Sequence, residues 1–438
     1  MKSARQTAFE ILRKIESDKA YSSLSLNAAL KQNSFADLRD ASFITSLVYG
    51  VTERKLTLDY NLSLYLKSSV KKLHPAVLTA LRLGSYQILF SEKVPNSAAV
   101  NESVKLVKDN SQAYSSGLVN AVLRKISSNG LVLPEKSDTY KFLSVKYSSP
   151  EELIKHFISS YGIENAEAHL EASLGSRPVF IRLNTIKCSF EELKNELNKE
   201  NADIEKTELE NCFILKNVGD ITSLSAYIKG FFHVQDMSSQ ICASLLGVTP
   251  GKTLVDCCAA PGGKSFTAAQ FMNNEGNIIS CDMYEHKVSL INSGAKRLGI
   301  NIISSVCKNA SDLNKSIENA DAVLCDVPCS GLGVIGRKPE IKYKSLSDFN
   351  SLPETQYAIL SSCSKIVKNG GVLVYSTCTM NPAENEKVCE RFLAEHTDFY
   401  LSRDERYLKF AKDGYMNIFA SPLGGDGFFA ARFERKAL

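Results

Sequence analysis

Apolar residues recur every three to four positions through residues 3–128, then give way to short apolar runs divided by turns. The first spacing is that of helices burying one face; the second is that of strands. Ala4, Ala8, Ile11, Leu12 and Ile15 share one helical face, and Phe43, Leu47, Val48 and Val51 share another. Further helical patterns cover 75–90, 97–109 and 116–127, punctuated by His74-Pro75, Pro95-Asn96 and Asn129-Gly130. Residues 1–130 therefore read as an all-helical domain. It offers no catalytic pair, so binding is its expected task.

Residues 131–149, with Pro134 and the Ser148-Ser149-Pro150 stop, read as a linker. Over 150–235 the pattern alternates: a helical stretch, a strand at 179–184, a helix from Ser189 to about Asn198, and the segment 231–239. This predicts a small α+β module of RNA-recognition or ferredoxin-like type. It lacks the aromatic signature of a base-stacking sheet, so no independent sequence readout is assigned to it. Residues 236–438 carry the runs TLVDCCA, NIISCD, IISSV, AVLCDVP and GVLVYST, each followed by a helical or loop segment. Such alternation predicts a mostly parallel α/β sheet covered by helices on both faces. The pieces near 398–402 and 427–433 are expected to add an antiparallel hairpin.

Composition narrows the class. Apolar residues at 44% and charged residues at 23% are ordinary for a globular chain. No apolar run reaches the length of a membrane span, and the first residues lack the apolar core of a signal peptide, so a cytoplasmic protein is expected. The 12 cysteines include no CxxC pair and the six histidines are scattered, so reduced thiols are expected and no metal. Charge is uneven: residues 1–135 hold 18 Lys+Arg against 11 Asp+Glu, a net of +7, against −3 for the remainder. A basic module on a near-neutral body suggests an anionic partner, nucleic acid being the usual one, with an ordinary solvated surface as the alternative.

Three strand ends carry the candidate chemistry. Leu254-Val255-Asp256 runs into Cys258-Ala259-Ala260-Pro261-Gly262-Gly263-Lys264, whose glycines let backbone turn tightly against a ligand. The next strand ends in Asp282, the place where an acid accepts hydrogen bonds from ribose hydroxyls. A phosphate loop is excluded because its first glycine would fall on Cys258 or Leu246, and GxGxxG is absent. A glycine turn with a ribose acid but no phosphate cradle points to S-adenosyl-L-methionine. Two further strand ends present cysteines, in Asp326-Val327-Pro328-Cys329-Ser330-Gly331 and in Ser376-Thr377-Cys378-Thr379. Carbon 5 of cytosine is a poor nucleophile, and thiolate addition at carbon 6 makes it an enamine that can attack an electrophilic methyl group. A second acid–base group is then useful for letting the sulfur go. Cys242, Cys257, Cys281, Cys307, Cys325, Cys363 and Cys389 read instead as small buried hydrophobes.

The blocks 47–55, 81–90, 98–108 and 117–125 resemble the NusB-type RNA-binding domain in its version fused to ribosomal RNA cytosine methyltransferases of the Sun/Fmu type. CAAPGGK, PCSG and STC, in that order, together with 180–187 and 232–240, resemble the NOL1/NOP2/Sun family, so the likeness spans nearly the whole chain. It implies a Rossmann-like methyltransferase domain acting on carbon 5 of a cytosine in 16S ribosomal RNA, by a monomer. By motif, Cys378 is the nucleophile, Cys329 assists release, and Asp326 bonds the cytosine N3/N4 edge. Lys264 tethers the turn or orients Asp326, with a surface lysine as the alternative. Cys258, Ala259, Ala260, Pro261, Gly262, Gly263, Lys264, Asp282 and Asp326 belong to the cofactor site. Asn309 stands where the family has an Asp, and its amide oxygen can accept from the adenine amino group without charge. Arg5, Lys14, Arg124, Lys125, Arg337 and Lys338 are candidates for RNA contact. A transfer-RNA methyltransferase and a non-catalytic RNA-binding factor are the alternatives; the NusB-like domain argues against the first and the two cysteines against the second.

Overall fold

The computed structural model describes residues 3–18, 26, 38–315, 317–402, 411–421 and 424–437. Two compact units emerge: Met1–Gly175 with Ile335–Lys344, and Ser176–Val334 with Ser345–Leu438. Among the described residues no helix is long and apolar enough to cross a membrane.

The first unit is helical. Ala4–Asp18, Leu38–Glu53, Lys55–Ser63, Pro75–Phe90, Asn96–Asp109 and Ser116–Asn129 pack around a core containing Ala8, Ile11, Leu12, Leu47, Val48 and Val51. Apart from Leu26, residues 19–37 of the stretch read as helical lie outside the described residues. The punctuation has a physical basis. His74 Nδ1 accepts the Ala76 N–H at 3.3 Å, and Pro75 sits at the first helical turn, where its missing donor costs nothing. Residues 131–149 contain the helix Thr139–Tyr147, and buried Asn61 bonds both the N–H and the carbonyl of Val132. The short segment Ile335–Lys344 folds within this unit, where the buried Lys342 ammonium donates to the Glu53 carbonyl at 3.0 Å.

The second unit begins with an antiparallel sheet of β1 (Val179–Leu183), β2 (Asp203–Lys206), β3 (Cys212–Lys216) and β4 (Phe232–Val234), in the order β2-β3-β1-β4. Helix Phe190–Asn198 packs on it, started by a capping box between Ser189 and Glu192. A larger sheet follows, of β5 (Thr253–Asp256), β6 (Asn277–Asp282), β7 (Ile303–Cys307), β8 (Ala320–Asp326), β9 (Val367–Thr377), β10 (Phe399–Leu401), β11 (Ala411–Lys412), β12 (Tyr415–Ile418) and β13 (Phe428–Arg435). Its order is β11-β12-β13-β9-β8-β5-β6-β7, with β10 pairing β13. Strands β5 to β9 are parallel, and β13 runs antiparallel to β9.

Alternation sorts this sheet's side chains into two cores. Val255, Val323, Cys325, Leu373 and Tyr375 face helices Leu352–Ser364 and Glu386–Glu395 on one side. Leu254, Ala322, Leu324 and Val374 face helices Met237–Ser244, Gly263–Phe271 and Glu285–Leu298 on the other. Two expectations need correction. The C-terminal pieces do pair, as β10 with β13, but β11 and β12 intervene in the chain, so the edge is no simple hairpin. Cys307 is exposed rather than buried, because it ends β7 at the open edge of the sheet. Cys257, Cys325 and Cys363, expected only as packing residues, bring their sulfurs within 4.8 Å of one another in the buried core.

Candidate active site

Strand order reverses around β5: β6 and β7 continue to one side, β8 and β9 to the other. Ligands bind at the carboxyl ends of strands beside such a switch point, and the 257–262 turn follows β5 there. Gly262 has φ 109°, and a Cβ on it would lie 2.4 Å from the Phe266 ring, so only glycine lets helix Gly263–Phe271 start in this place. Cys258, Ala259, Ala260, Pro261, Gly263, Lys264 and Asp326 wall a cavity of about 190 Å³ together with Gln235 and Asp256.

Two polar atoms of that wall are buried without a partner, the Asp256 Oδ1 acceptor and the Gln235 Nε2 donor. An acceptor and a donor at a glycine turn suit the ammonium and carboxylate of a methionine moiety, so the residues present fit S-adenosylmethionine. Burial pushes Asp256 up to about 7, against the opposing hydrogen bond from Ser265 Oγ at 2.7 Å. A carboxyl raised from its unfolded value favours the folded state only while neutral. Asp256 should therefore withdraw stability as pH climbs from about 4 through 7, and Asp256→Asn should flatten that part of the ligand-free thermal midpoint profile. An unchanged profile would remove Asp256 as its source.

Asp282 ends β6, is buried, and accepts the Tyr284 N–H at 3.1 Å, with Lys287 Nζ 3.7 Å away. Asn309 follows β7, and its Oδ1 already accepts the Ser311 N–H at 3.0 Å, so the oxygen expected to meet adenine is partly engaged. Neither residue lines the cavity. Asp282 is the last residue of β6 and Asn309 comes two residues after β7, the parallel strands next in line after β5. Asp282→Ala should weaken S-adenosylmethionine binding by about 1–3 kcal/mol, the scale of a charge-assisted hydrogen bond. Calorimetry finding equal affinity would place the ribose elsewhere.

Adjacent strands β8 and β9, in register at Asp326 and Ser376, bring the other groups together. Asp326 accepts from Lys264 Nζ at 2.6 Å on one oxygen and from Ser376 Oγ at 2.8 Å on the other, which fixes its plane. Burial disfavours the Lys264 ammonium, yet Asp326, with Cys242 and Asp256 beside it, outweighs burial and holds its pKa above the ordinary lysine value. With its side chain 12% exposed, Lys264 is no surface lysine. The Sγ atoms of Cys329 and Cys378 lie 3.2 Å apart. The Cys378 thiol, burial and the Glu384 carboxylate all push Cys329 up, so it is kept as a thiol.

Sequence reasoning passed over Glu384, Asn385, Gln356 and Gln235. Glu384 and Asn385 are fully buried just beyond the second cysteine strand, and Gln356 sits inside a helix. For Glu384 and Asn385 the signal is the run Glu384-Asn385-Glu386, polar residues where a helix is about to start.

Comparison with known proteins agrees with this layout. The model of the NusB family matches residues 2–128, that of the RsmF/B-like ferredoxin-like domain 149–222, and that of 16S rRNA methyltransferase RsmB/F 243–434. The probable ribosomal RNA small subunit methyltransferase B of Bacillus subtilis is 37% identical, covering 99% of each chain. Its counterpart from Synechocystis is 33% identical over 99% of this chain and 100% of its own length. The crystal structure of PH0851 shares 26% identity with a TM-score of 0.82, covering 99% of this chain and 98% of that one. With a helical NusB domain, a ferredoxin-like module and a Rossmann-like catalytic domain, the chain belongs to the RsmB/F family of 16S rRNA methyltransferases, which transfer a methyl group from S-adenosylmethionine to carbon 5 of cytosine.

Proposed function

We propose that Cys378 is the thiol that adds to carbon 6 of the target cytosine and that Cys329 serves its release. The observation that carries this reading is the 3.2 Å approach of the two sulfurs, in the same unit as the turn and an Asp326 fixed from both sides. Cys378 adds as the thiolate: its Sγ bonds carbon 6 and N3 takes up a proton, leaving a neutral enamine in which carbon 5 is a nucleophile. Asp326 bonds the N3/N4 edge and stabilises the ring as sulfur adds, while Lys264 and Ser376 keep its carboxylate from rotating. S-adenosylmethionine, when bound, supplies the electrophilic methyl group. Once Cys378 is tied up as a thioether, its thiol no longer pushes Cys329 up, so Cys329 can ionise and take the carbon 5 proton as the carbon 6–sulfur bond breaks and Cys378 leaves as thiolate. The groups named here belong to one compact unit of one chain, which supports action as a monomer. A ribosomal RNA substrate implies work in the cytoplasm.

Bisulfite mapping tests the substrate. In 16S RNA from a strain lacking the gene, added protein and S-adenosylmethionine should make a cytosine bisulfite-resistant. Resistance appearing in transfer RNA and not in 16S RNA would overturn the substrate assignment.

The basic excess of the helical unit supports RNA binding there. Arg5 is only half-exposed: it donates to Gln87 at 2.7 Å and lies over the Phe43 ring. Lys14, Arg124 and Lys125 are exposed, as is Lys338. Replacing Arg124 and Lys125 with Gln should lower the slope of log affinity against log salt by about 1 for each RNA phosphate no longer neutralised. A filter-binding series with an unchanged slope would make these residues ordinary surface.

A further inference from the structure

The loops bearing the two thiols are gripped by two consecutive residues. Glu384 Oε2 accepts the Ser330 N–H and the Gln356 amide, both at 2.9 Å, while that same Gln356 nitrogen reaches the Pro328 carbonyl at 3.0 Å. Cys329 is thus held on both flanks. The next residue does the same for the other cysteine. Asn385 Oδ1 accepts from Thr377 Oγ1 at 2.6 Å and its Nδ2 donates to the Thr379 carbonyl at 3.0 Å, bracketing Cys378. A 2.6 Å hydrogen bond between Ser330 Oγ and Thr379 Oγ1 joins the two loops directly.

We propose that Glu384 and Asn385 are positioning residues with separate duties, Glu384 setting Cys329 for release and Asn385 setting Cys378 for addition. The proposal rests on the thiol roles given above. The grounds are chemical as well as geometric. Glu384 meets three donors, since its other oxygen accepts from Asn381 Nδ2 at 2.9 Å. A carboxylate presents only acceptors, whereas a glutamine would turn an NH2 group toward one of those donors and break its bond. Asn385 needs the opposite: an acceptor toward Thr377 and a donor toward Thr379, which an aspartate cannot supply together. Both residues are fully buried, so no water can substitute for a missing partner without rearrangement. The Asn385 side chain bonds the two flanks of Cys378, whereas Glu384 bonds the Cys329 flank with one oxygen and Asn381 with the other.

Separate duties predict opposite kinetic signatures. Glu384→Gln should leave the first turnover of methyl transfer within about twofold of the unmodified enzyme, yet raise the covalent RNA–protein species on denaturing gels by about tenfold or more, the scale of removing one charge-assisted bond. Asn385→Asp should slow the first turnover by about tenfold or more and accumulate no adduct. S-adenosylmethionine affinity by calorimetry should not change in either, which marks a folded cofactor site. A purely structural role would depress both steps together, and that result, or no effect on either, would overturn the proposal. Cys329→Ala in the same assay separates the two levels. If it traps RNA and Glu384→Gln does not, the positioning role fails while the thiol roles stand. If Cys329→Ala does not trap, the thiol roles themselves fail.

Discussion

Cys378→Ala should abolish methyl transfer, by at least about a thousandfold, and should form no covalent complex with RNA. The reason is electronic. Without sulfur at carbon 6, carbon 5 stays part of an aromatic ring and does not attack a methyl donor at a useful rate. The neighbouring thiol does not replace it: Cys329 is held in its own loop through the Ser330 N–H and the Pro328 carbonyl, with its sulfur 3.2 Å from the place of Cys378 Sγ. Binding of cofactor should survive, since the turn, Asp256 and Asp282 are untouched. Gel electrophoresis and a tritium transfer assay read both effects.

Cys329→Ala should have the opposite appearance. Addition and methylation can proceed, because the backbone around Cys378 is held by Asn385 on its two flanks and by the Gly333 N–H, which the substitution leaves in place. The carbon 5 proton then has no acceptor at the right place, and the methylated base stays bound to Cys378. A covalent protein–RNA species should therefore build up, only with both RNA and cofactor present. Its formation should vanish in the Cys329→Ala, Cys378→Ala double variant. Trapping by Cys378→Ala and none by Cys329→Ala would reverse the roles of the two thiols.

Much of the architecture is written locally. Helix Pro75–Phe90 starts at a proline preceded by a capping side chain, and β5, β6, β8 and β9 are largely buried runs bounded by turns, so neighbouring residues suffice to find them. Strand ends that carry Asp256, Asp282, Asp326 and Cys378 are legible for the same reason. What escapes depends on distant partners. Glu384 takes its meaning from Ser330 and Gln356, and Gln235 from a cavity wall completed by β5 and β8. Cys307 looks like the other strand-end cysteines, and only strand order reveals that β7 has no neighbour beyond it among the described residues. The two-residue β11 is too short for any periodicity to announce it.

The most direct test of the thiol assignment is to see which sulfur carries the base. The trapped complex of Cys329→Ala can be digested with nuclease and protease and its nucleotide-bearing peptide sequenced by mass spectrometry. The predicted result is a methylated cytidine nucleotide attached to the peptide containing Cys378. Attachment at any other cysteine, or a trapped base without its methyl group, would contradict the assignment.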